Sequence, residues 1–377
     1  MAIDTLYNKY RPYRLDMVCG QEHVKLILAS QIKQNRIAHT YLLAGPAGIG
    51  KTTVARILAC MVNATSGPTV DLSLEDPVVQ KIMFGKSGGD VDEKDAARQR
   101  GIDDIRSLQE KVYLAPMELR TKIYIIDECQ QLTAEAWSAL LKILEEPPQH
   151  VIFIFCTTDP KKVPETIKTR CQCFEFRLLP YADVLSQCRH IAGSERIDID
   201  EDALRLVAVS ARGSLRRAIA GLEMLSTTGK VTAKTVSQML GVTDIMTACR
   251  FLEGVLQRDL AKSMQASSDA MSVGVPAVNF LSLVADVVHD VVMYGVKGYD
   301  PERVGHTPDD TKQIGALKEM LVGAVEKGKG SRVTLEWAET LDKLSKWSVY
   351  NQQPQRLMNM AFVAMCGNLK EYQKQNS

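Results

Sequence analysis

The chain has 377 residues, a formal net charge of +1 at pH 7, and 45% hydrophobic against 24% charged residues. This length exceeds what one hydrophobic core usually organises, so we expect two or three domains, and the composition is that of a soluble globular protein. Because no apolar run approaches the roughly 18 residues that span a bilayer, and because the nine cysteines are scattered and odd in number, we expect no membrane partner, no disulfides and a cytoplasmic location.

In the first half of the chain, short apolar runs alternate with amphipathic segments. The predicted strands are 41–44, 123–126, 151–156 and 173–176, and the predicted helices are 51–62, 102–114, 133–145 and 161–168. This alternation is typical of a parallel sheet with crossover helices, so we expect one α/β domain over residues 1–178. Residues 64–101 are mostly polar and predict a surface insertion, with at best a short strand near Val91.

After Pro180 the pattern becomes helical. The predicted helices are 181–192, 200–211, 214–226 and 232–240. They predict a small helical domain over residues 179–241. Longer helical patterns follow, with breaks at 274–276, 299–308 and 328–330. We therefore expect a third, all-helical domain over residues 242–377.

Residues 45–52 read Gly-Pro-Ala-Gly-Ile-Gly-Lys-Thr and lie between a predicted strand and a predicted helix. Such a turn can point consecutive backbone N–H groups at a phosphate, and the helix N-terminus adds partial positive charge. In this pattern the lysine reaches the β- and γ-phosphates and the following hydroxyl ligates Mg²⁺. The residues expected to bind ATP are Gly45, Pro46, Ala47, Gly48, Ile49, Gly50, Lys51, Thr52 and Thr53. Taken alone, the pattern would also suit an accidental glycine turn.

A second element supports a phosphate site. Residues 122–128 predict a buried strand that ends in two carboxylates, Asp127 and Glu128. We assign Asp127 to the magnesium shell together with Thr52, and Glu128 to polarising the attacking water. Phosphoryl transfer needs this division of roles because its catalysis is mostly positioning and charge neutralisation. A glutamate directly after the aspartate favours hydrolysis over binding alone.

Eight motifs, in this order, resemble those of the bacterial DNA polymerase III gamma/tau clamp-loader subunits, which are AAA+ ATPases. They are Lys9-Tyr-Arg-Pro, Gly20-Gln-Glu-His-Val, the glycine loop, Asp127-Glu128, Leu144-Glu-Glu-Pro-Pro, Cys156-Thr-Thr-Asp-Pro, Thr169-Arg-Cys and Gly213-Ser-Leu-Arg. The match extends through about residue 225, and beyond residue 241 it is one of length and helicity only. Taken without the other motifs, Arg170 and Arg216 would each be interpreted as a structural or solvated arginine.

The resemblance implies one subunit of a pentameric ring that opens a sliding clamp and closes it on primer-template DNA during replication. In that family Thr157 matches sensor 1 on the γ-phosphate side, and Arg216 matches sensor 2. Arg170 matches the arginine finger, which acts on ATP bound to the neighbouring subunit. The third domain would be the collar of the ring. The positions that match residues near the adenine are Arg11, Pro12 and Val18.

The chain departs from the family pattern in several respects, among them an unusually polar segment at 90–94 where the family has its second strand. The family usually carries four zinc-binding cysteines between the first helix and the second strand, whereas Cys60 is the only cysteine between Cys19 and Cys129. A four-thiolate site is therefore impossible there, and we expect no zinc. The family's Ser-Arg-Cys is here Thr169-Arg-Cys. The sequence also lacks the long extension of the tau form, so the resemblance implies a short, gamma-like form.

A DNA contact is expected at three arginines, Arg98, Arg100 and Arg106. They flank the start of the helix predicted at 102, and helix starts at this place face the central channel in the resembled family. Contacts to backbone phosphates there would be independent of sequence and sensitive to salt. Acidic neighbours make a solvated charged turn an equally good interpretation.

Two other functions remain open. The chain could be a different AAA+ machine, such as a branch-migration helicase or a protein remodeller that works as a homo-oligomeric ring. It could also be a scaffold that binds nucleotide only as a structural ligand, although the intact Glu128 argues against this.

Overall fold

The structure is a computed structural model that describes residues 5–85, 89–99, 101–242, 244–297, 299, 306, 308–325, 330–347 and 354–371. Contacts divide the chain into two compact units. The first comprises Met1–Leu179 with Arg212–Ile219, and the second comprises Pro180–Ala211 with Ala220–Ser377. The division into three domains stays a prediction.

A five-stranded parallel sheet forms the centre of the first unit. Its strands are β1 (Thr40–Ala44), β2 (Val91–Asp95), β3 (Lys122–Asp127), β4 (Val151–Thr157) and β5 (Gln172–Glu175). The spatial order is β2-β3-β4-β1-β5, and every neighbouring pair is parallel. This arrangement confirms the predicted α/β fold, and the four apolar strands lie within one residue of their predicted bounds.

Seven helices accompany the sheet in the described part of the first unit. They are α1 (Leu6–Lys9), α2 (Glu22–Lys33), α3 (Lys51–Asn63), α4 (Pro77–Phe84), α5 (Ile102–Val112), α6 (Ala134–Glu145) and α7 (Glu165–Lys168). The helix predicted over 161–168 is only α7 preceded by a short 3₁₀ turn, because Pro164 lies between them. Successive residues of the three central strands, β1, β3 and β4, pack alternately into two apolar clusters, as expected for a sheet that is covered on both faces.

The segment 64–101 contains more regular structure than the sequence predicted. The prediction of a surface insertion was therefore wrong in part. It contains α4, whose Val79, Ile82 and Met83 are buried at helical spacing. It also contains β2, which pairs with β3 along its whole length. The strand is polar because it lies at the edge of the sheet, and there Arg56 binds Glu93 through two hydrogen bonds of 2.6 and 3.0 Å.

The described part of the second unit contains only helices as regular elements. They are α8 (Tyr181–Ser194), α9 (Glu201–Ser210), α10 (Leu215–Leu225, which begins in residues of the first unit), α11 (Ala233–Leu240), α12 (Ile245–Gln257), α13 (Leu260–Ser272), α14 (Ala277–Met293), α15 (Pro308–Ala324), α16 (Gly330–Trp347) and α17 (Pro354–Glu371). The expected helical character is confirmed. One large apolar cluster joins α12 to α17 and includes Trp337, whose indole N–H donates to the carbonyl of Met365 at 2.9 Å. Among the described helices none is long and apolar enough to cross a membrane.

Candidate nucleotide-binding site

The strand order brings the predicted phosphate-binding groups to one edge of the sheet. Strand β4 lies between β1 and β3, so the carboxyl ends of all three strands are adjacent. The glycine loop follows β1, Asp127 ends β3 and Thr157 ends β4. The N–H of Gly45 donates to the carbonyl oxygen of Thr157 at 3.1 Å, which ties the loop to the central strand. Ligands of open α/β sheets bind at this edge.

The glycine loop needs glycine at Gly48 for two reasons. Its φ is +75°, a left-handed conformation that side chains disfavour. A Cβ atom there would also lie 2.3 Å from Ser214 Oγ and 2.9 Å from Arg216 Cβ. The N–H of Arg216 donates to the carbonyl of Gly48 at 3.2 Å. The loop is therefore in direct contact with the motif that carries the predicted sensor 2.

Lys51 opens α3 and lies against the loop. Its Nζ donates to the carbonyl oxygens of Gly45 and Pro46, both at 2.7 Å. Burial lowers the pKa of Lys51, and the negative charges of Glu128 and Asp127 act in the opposite direction. The ammonium group is thus desolvated beside the loop, where a phosphate would interact with it more strongly than in water.

Thr52 and Asp127 provide the oxygen atoms expected of a magnesium shell. Thr52 Oγ1 donates to Asp127 Oδ2 at 2.8 Å, and the N–H of Glu128 donates to Asp127 Oδ1 at 3.0 Å. Burial raises the pKa of Asp127 above its ordinary value, although both hydrogen bonds lower it. Mg²⁺ prefers one or two carboxylates together with substrate phosphates, so this hydroxyl and carboxylate fit the ion, which would neutralise phosphate charge there.

Glu128 is held by neighbours that the sequence motifs did not indicate. Its backbone is left-handed, with φ +49° and ψ +39°. Its Oε2 accepts hydrogen bonds from Gln130 Nε2 at 2.5 Å and from Thr158 Oγ1 at 3.0 Å. Thr157 is fully buried and donates its hydroxyl proton to Gln130 Oε1 at 2.7 Å. Gln130 lies in a short 3₁₀ helix, Cys129–Gln131, and no periodic pattern marks it, so sequence reasoning missed it.

The predicted sensor 2 shares an aromatic partner with a residue of the predicted adenine region. The guanidinium carbon of Arg216 lies 4.8 Å from the centre of the Tyr7 ring, and that of Arg11 lies 5.0 Å from it. Both distances are within the range of cation–π attraction. The Nε of Arg11 is buried and has no hydrogen-bond partner among the described residues. Tyr7 precedes the quoted motif and was not predicted.

The other residues predicted to bind nucleotide differ in burial. Val18 and Ile49 are buried members of one of the two apolar clusters that cover the sheet, and Thr53 is buried in α3. Pro12 is half-buried, whereas Pro46 and Ala47 are exposed on the loop. The structure therefore gathers the loop, Val18 and the first motif in one unit, and their contacts with adenine stay a prediction.

Arg170 has its contacts elsewhere. Its guanidinium donates to the carbonyl of Thr166 at 2.7 Å and to Glu145 Oε1 at 3.0 Å. The side chain of Arg170 is 35% exposed and that of Glu145 is 55% exposed. An exposed guanidinium away from the glycine loop is compatible with a partner outside the chain. Its role as an arginine finger stays a prediction.

The expected DNA contacts are only partly described. Arg98 is exposed and lies 3.7 Å from Asp95, and Arg106 is exposed on α5. Arg100 lies outside the described residues. The DNA contact stays a prediction at all three positions.

The expectation of no zinc also stays a prediction. Cys60 is buried in α3, and burial raises the pKa of its thiol to about 12. A thiol in that state is protonated at neutral pH in the metal-free chain. Across the parts of the chain that the structure describes, no three His, Cys, Asp or Glu side chains are grouped to hold a metal.

Comparison with known families matches two stretches of the chain. Residues 20–180 match the family described as DNA polymerase III, delta subunit. Residues 231–324 match the family described as DNA polymerase III subunits gamma and tau domain III. The second match carries the similarity past residue 241, where the motifs indicated only length and helicity.

Two curated relatives are similar over most of this chain. The tau subunit of DNA polymerase III from Escherichia coli strain K12 is 36% identical over 295 residues, which are 78% of this chain and 46% of that protein. Protein STICHEL-like 1 from Arabidopsis thaliana is 35% identical over 309 residues, which are 79% of this chain and 27% of that protein. The chain spans less than half the length of the curated relatives that it matches.

Among solved structures, the Thermotoga maritima RuvB Holliday junction branch migration motor is 20% identical with a TM-score of 0.47, over 66% of this chain and 80% of that one. A similarity of this size does not bear on function. The two family matches and the identity to a tau subunit agree with one another. The chain is therefore a DNA polymerase III gamma/tau-like protein.

Proposed function

We propose that this chain is an ATP-hydrolysing motor subunit of a clamp loader, which helps to open a sliding clamp and load it onto primer-template DNA. The observation that carries the proposal is the contact of Thr52 with Asp127 at 2.8 Å beside a buried Lys51 and Glu128. Lys51 and Thr52 begin α3, Asp127 ends β3 and Glu128 follows it, and these four side chains are the groups that phosphoryl transfer needs.

The proposed roles follow from the position of each group. The loop N–H groups and Lys51 bind the phosphates, while Thr52 and Asp127 hold Mg²⁺. Glu128 takes the proton of the attacking water as a general base, which contributes about 10²–10⁴ in rate where the geometry is right. Thr157 senses the γ-phosphate, and Arg216 acts as sensor 2.

The proposed partners are the other subunits of a pentameric ring, the sliding clamp and primer-template DNA, in the cytoplasm. The similarity to gamma and tau subunits supports the first two, and the exposed arginines Arg98 and Arg106, before and within α5, support the third. Arg170 would complete the nucleotide site of the adjacent subunit, since its guanidinium is partly exposed.

A measurement of phosphate release tests this function. We expect slow release by the chain alone and faster release when partner subunits, clamp and primed DNA are added together. Lys51→Ala should lower the stimulated rate by about 10² or more, because a charge that stabilises the transferred phosphoryl group is lost. Lys33→Ala, at an exposed lysine of α2, is the matched control and should keep the wild-type rate.

Three outcomes would contradict the proposal. Full turnover by the isolated chain without any clamp would show that its ATP hydrolysis is not coupled to the clamp. Strand unwinding or protein unfolding by a ring of this chain alone would favour a branch-migration or remodelling ATPase. An assembled complex that binds nucleotide without releasing phosphate would favour a structural scaffold.

A further inference from the structure

We propose that Gln130 is a positioning residue that couples the γ-phosphate sensor Thr157 to the carboxylate of Glu128. This inference rests on the proposed function, because it uses the roles assigned there to Thr157 and Glu128. What it adds is the path between them, through a glutamine that belongs to none of the motifs.

The path is a continuous chain of hydrogen bonds. Thr157 Oγ1 donates to Gln130 Oε1 at 2.7 Å, and Gln130 Nε2 donates to Glu128 Oε2 at 2.5 Å. Gln130 Nε2 also lies 2.8 Å from Thr158 Oγ1, and that hydroxyl donates to Glu128 Oε2 at 3.0 Å. The two ends of one amide group therefore contact the sensor and the base, and the amide is rigid.

The single hydroxyl proton of Thr157 determines how the hydrogen bonds of this path would respond to a γ-phosphate. The Thr157 hydroxyl has one proton, which goes to Gln130 Oε1, and its oxygen accepts the N–H of Asp159 at 3.0 Å. A sensor that donates to a γ-phosphate must withdraw that proton from Gln130. The amide oxygen then lacks its donor, which is unfavourable for a half-buried group. Reorientation of the amide offsets this loss, and it also moves the N–H group that holds Glu128.

The consequence is a base whose restraint depends on the nucleotide. While Gln130 accepts from Thr157, two donors fix Glu128 Oε2. When the Thr157 hydroxyl donates its hydrogen bond to a γ-phosphate instead, the donor from Gln130 is free to leave, and Glu128 can turn toward the water. No bond is made or broken in this step other than hydrogen bonds, and no proton changes its owner.

The first test is nucleotide binding by the full chain, which does not depend on hydrolysis. Gln130→Met keeps the size of the side chain and removes both hydrogen bonds, so Thr157 no longer has to give up a partner. We expect the affinity for a non-hydrolysable ATP analogue to rise about 2–10-fold, with the affinity for ADP unchanged. In a Thr157→Val background the same substitution should leave both affinities unchanged.

The second test is the hydrolysis rate of the chain without its partners. Gln130→Met should raise this kcat by about tenfold, because one of the two donors that hold Glu128 away from the water is lost. Gln130→His should return kcat to near the wild-type value at pH 8, because a neutral imidazole offers one acceptor and one donor. Its kcat should fall below about pH 6.5, where the protonated ring donates to Glu128 whether or not Thr157 donates to the phosphate. A merely structural role would not produce this added pH step.

Gln131→Met, at an exposed neighbour, is the matched control and should match the wild type in binding, rate and melting temperature. Unchanged analogue affinity and unchanged kcat in Gln130→Met would overturn the inference, as would equal losses of ATP and ADP affinity. If the wild type binds nucleotide without hydrolysing it, the proposed function fails, while the binding test still decides the role of Gln130.

Discussion

Asp127 illustrates how the site opposes the stability of the fold. Burial raises its pKa above the ordinary value despite hydrogen bonds from Thr52 and from the N–H of Glu128. The folded chain therefore binds a proton over a pH interval in which the unfolded chain has already lost it. By linkage, the contribution of Asp127 to stability decreases as the pH rises through this interval and is absent at neutral pH.

Replacing this carboxylate should therefore stabilise the free protein. We expect Asp127→Asn to raise the melting temperature at pH 7, since the amide can still bond Thr52 and carries no charge. The difference in melting temperature between the variant and the wild type should shrink as the pH falls through the raised pKa of Asp127. The variant should also lose Mg²⁺-dependent nucleotide binding. Thermal melts from pH 4 to 8 measure this, with Asp71→Asn at an exposed aspartate as control. A lower melting temperature at pH 7 would refute the argument.

Residues that act through a fixed local pattern were predictable from sequence, and those that act through spatial contact were not. Lys51, Thr52 and Asp127 follow strands in a known spacing, and the structure brings them together. Gln130 and Tyr7 owe their contacts to hydrogen bonding and ring packing across the fold. No alternation or spacing in a single sequence marks such residues.

The elements divide in the same way. Strands β1, β3 and β4 were predicted almost to the residue because central parallel strands are continuous apolar runs. Helix α4 was missed, since its short apolar face stands within a polar stretch. The polar strand β2 was predicted only as a short strand near Val91. Its charged residues suit an edge strand, and one of them, Glu93, pairs with Arg56. Neither the edge position nor this pair can be seen in the sequence.

The start of β2 depends on a buried carboxylate. Asp90 accepts N–H bonds of 2.7–3.0 Å from residues 117–119. Burial acts to raise its pKa, but these bonds and the charge of Lys122 lower it to below the ordinary value. Its contribution to stability is therefore present above the pKa of the unfolded chain, about 3.9, and is lost as the pH falls through the lower folded value.

We accordingly expect Asp90→Asn to reduce the free energy of unfolding by about 1–3 kcal/mol at pH 7, because an amide nitrogen would face N–H donors. The loss should diminish as the pH drops below about 4, because the unfolded wild-type chain then binds a proton at Asp90 that the folded chain binds only at lower pH. Urea unfolding at pH 7 and below about pH 4 measures this difference in the free energy of unfolding. Asp71→Asn again serves as the exposed control. Equal stability of the variant and the wild type at pH 7 would mean that the carboxylate does not anchor this segment.

At the scale of the whole molecule, the pair between Arg170 and Glu145 suits a residue that changes partners. Both side chains are partly exposed, so the ion pair is worth at most about 1 kcal/mol and is readily exchanged for a phosphate. A finger that acts on the adjacent subunit should not affect nucleotide binding by its own chain. That separation distinguishes it from Lys51.

Arg170→Ala should therefore leave nucleotide affinity within about twofold while it lowers stimulated hydrolysis by about 10³ or more. Equilibrium binding and phosphate release on the same assembled complex measure the two effects. Arg189→Ala is a matched control, since Arg189 is an exposed arginine that pairs with Glu201 at 2.5 Å. If the variant chain itself bound nucleotide more weakly, the assignment of Arg170 to the site of the adjacent subunit would be wrong.

The first unit is not continuous along the chain, since it consists of Met1–Leu179 and Arg212–Ile219 with residues of the second unit between them. During synthesis, the ribosome must therefore add residues up to 219 before this unit has all of its parts. The late segment includes Ser214 and Arg216, which touch the loop at Gly48. Recombinant fragments follow the same rule, because a fragment that stops at Leu179 lacks contacts of its own glycine loop, and one that runs through Ile219 keeps them.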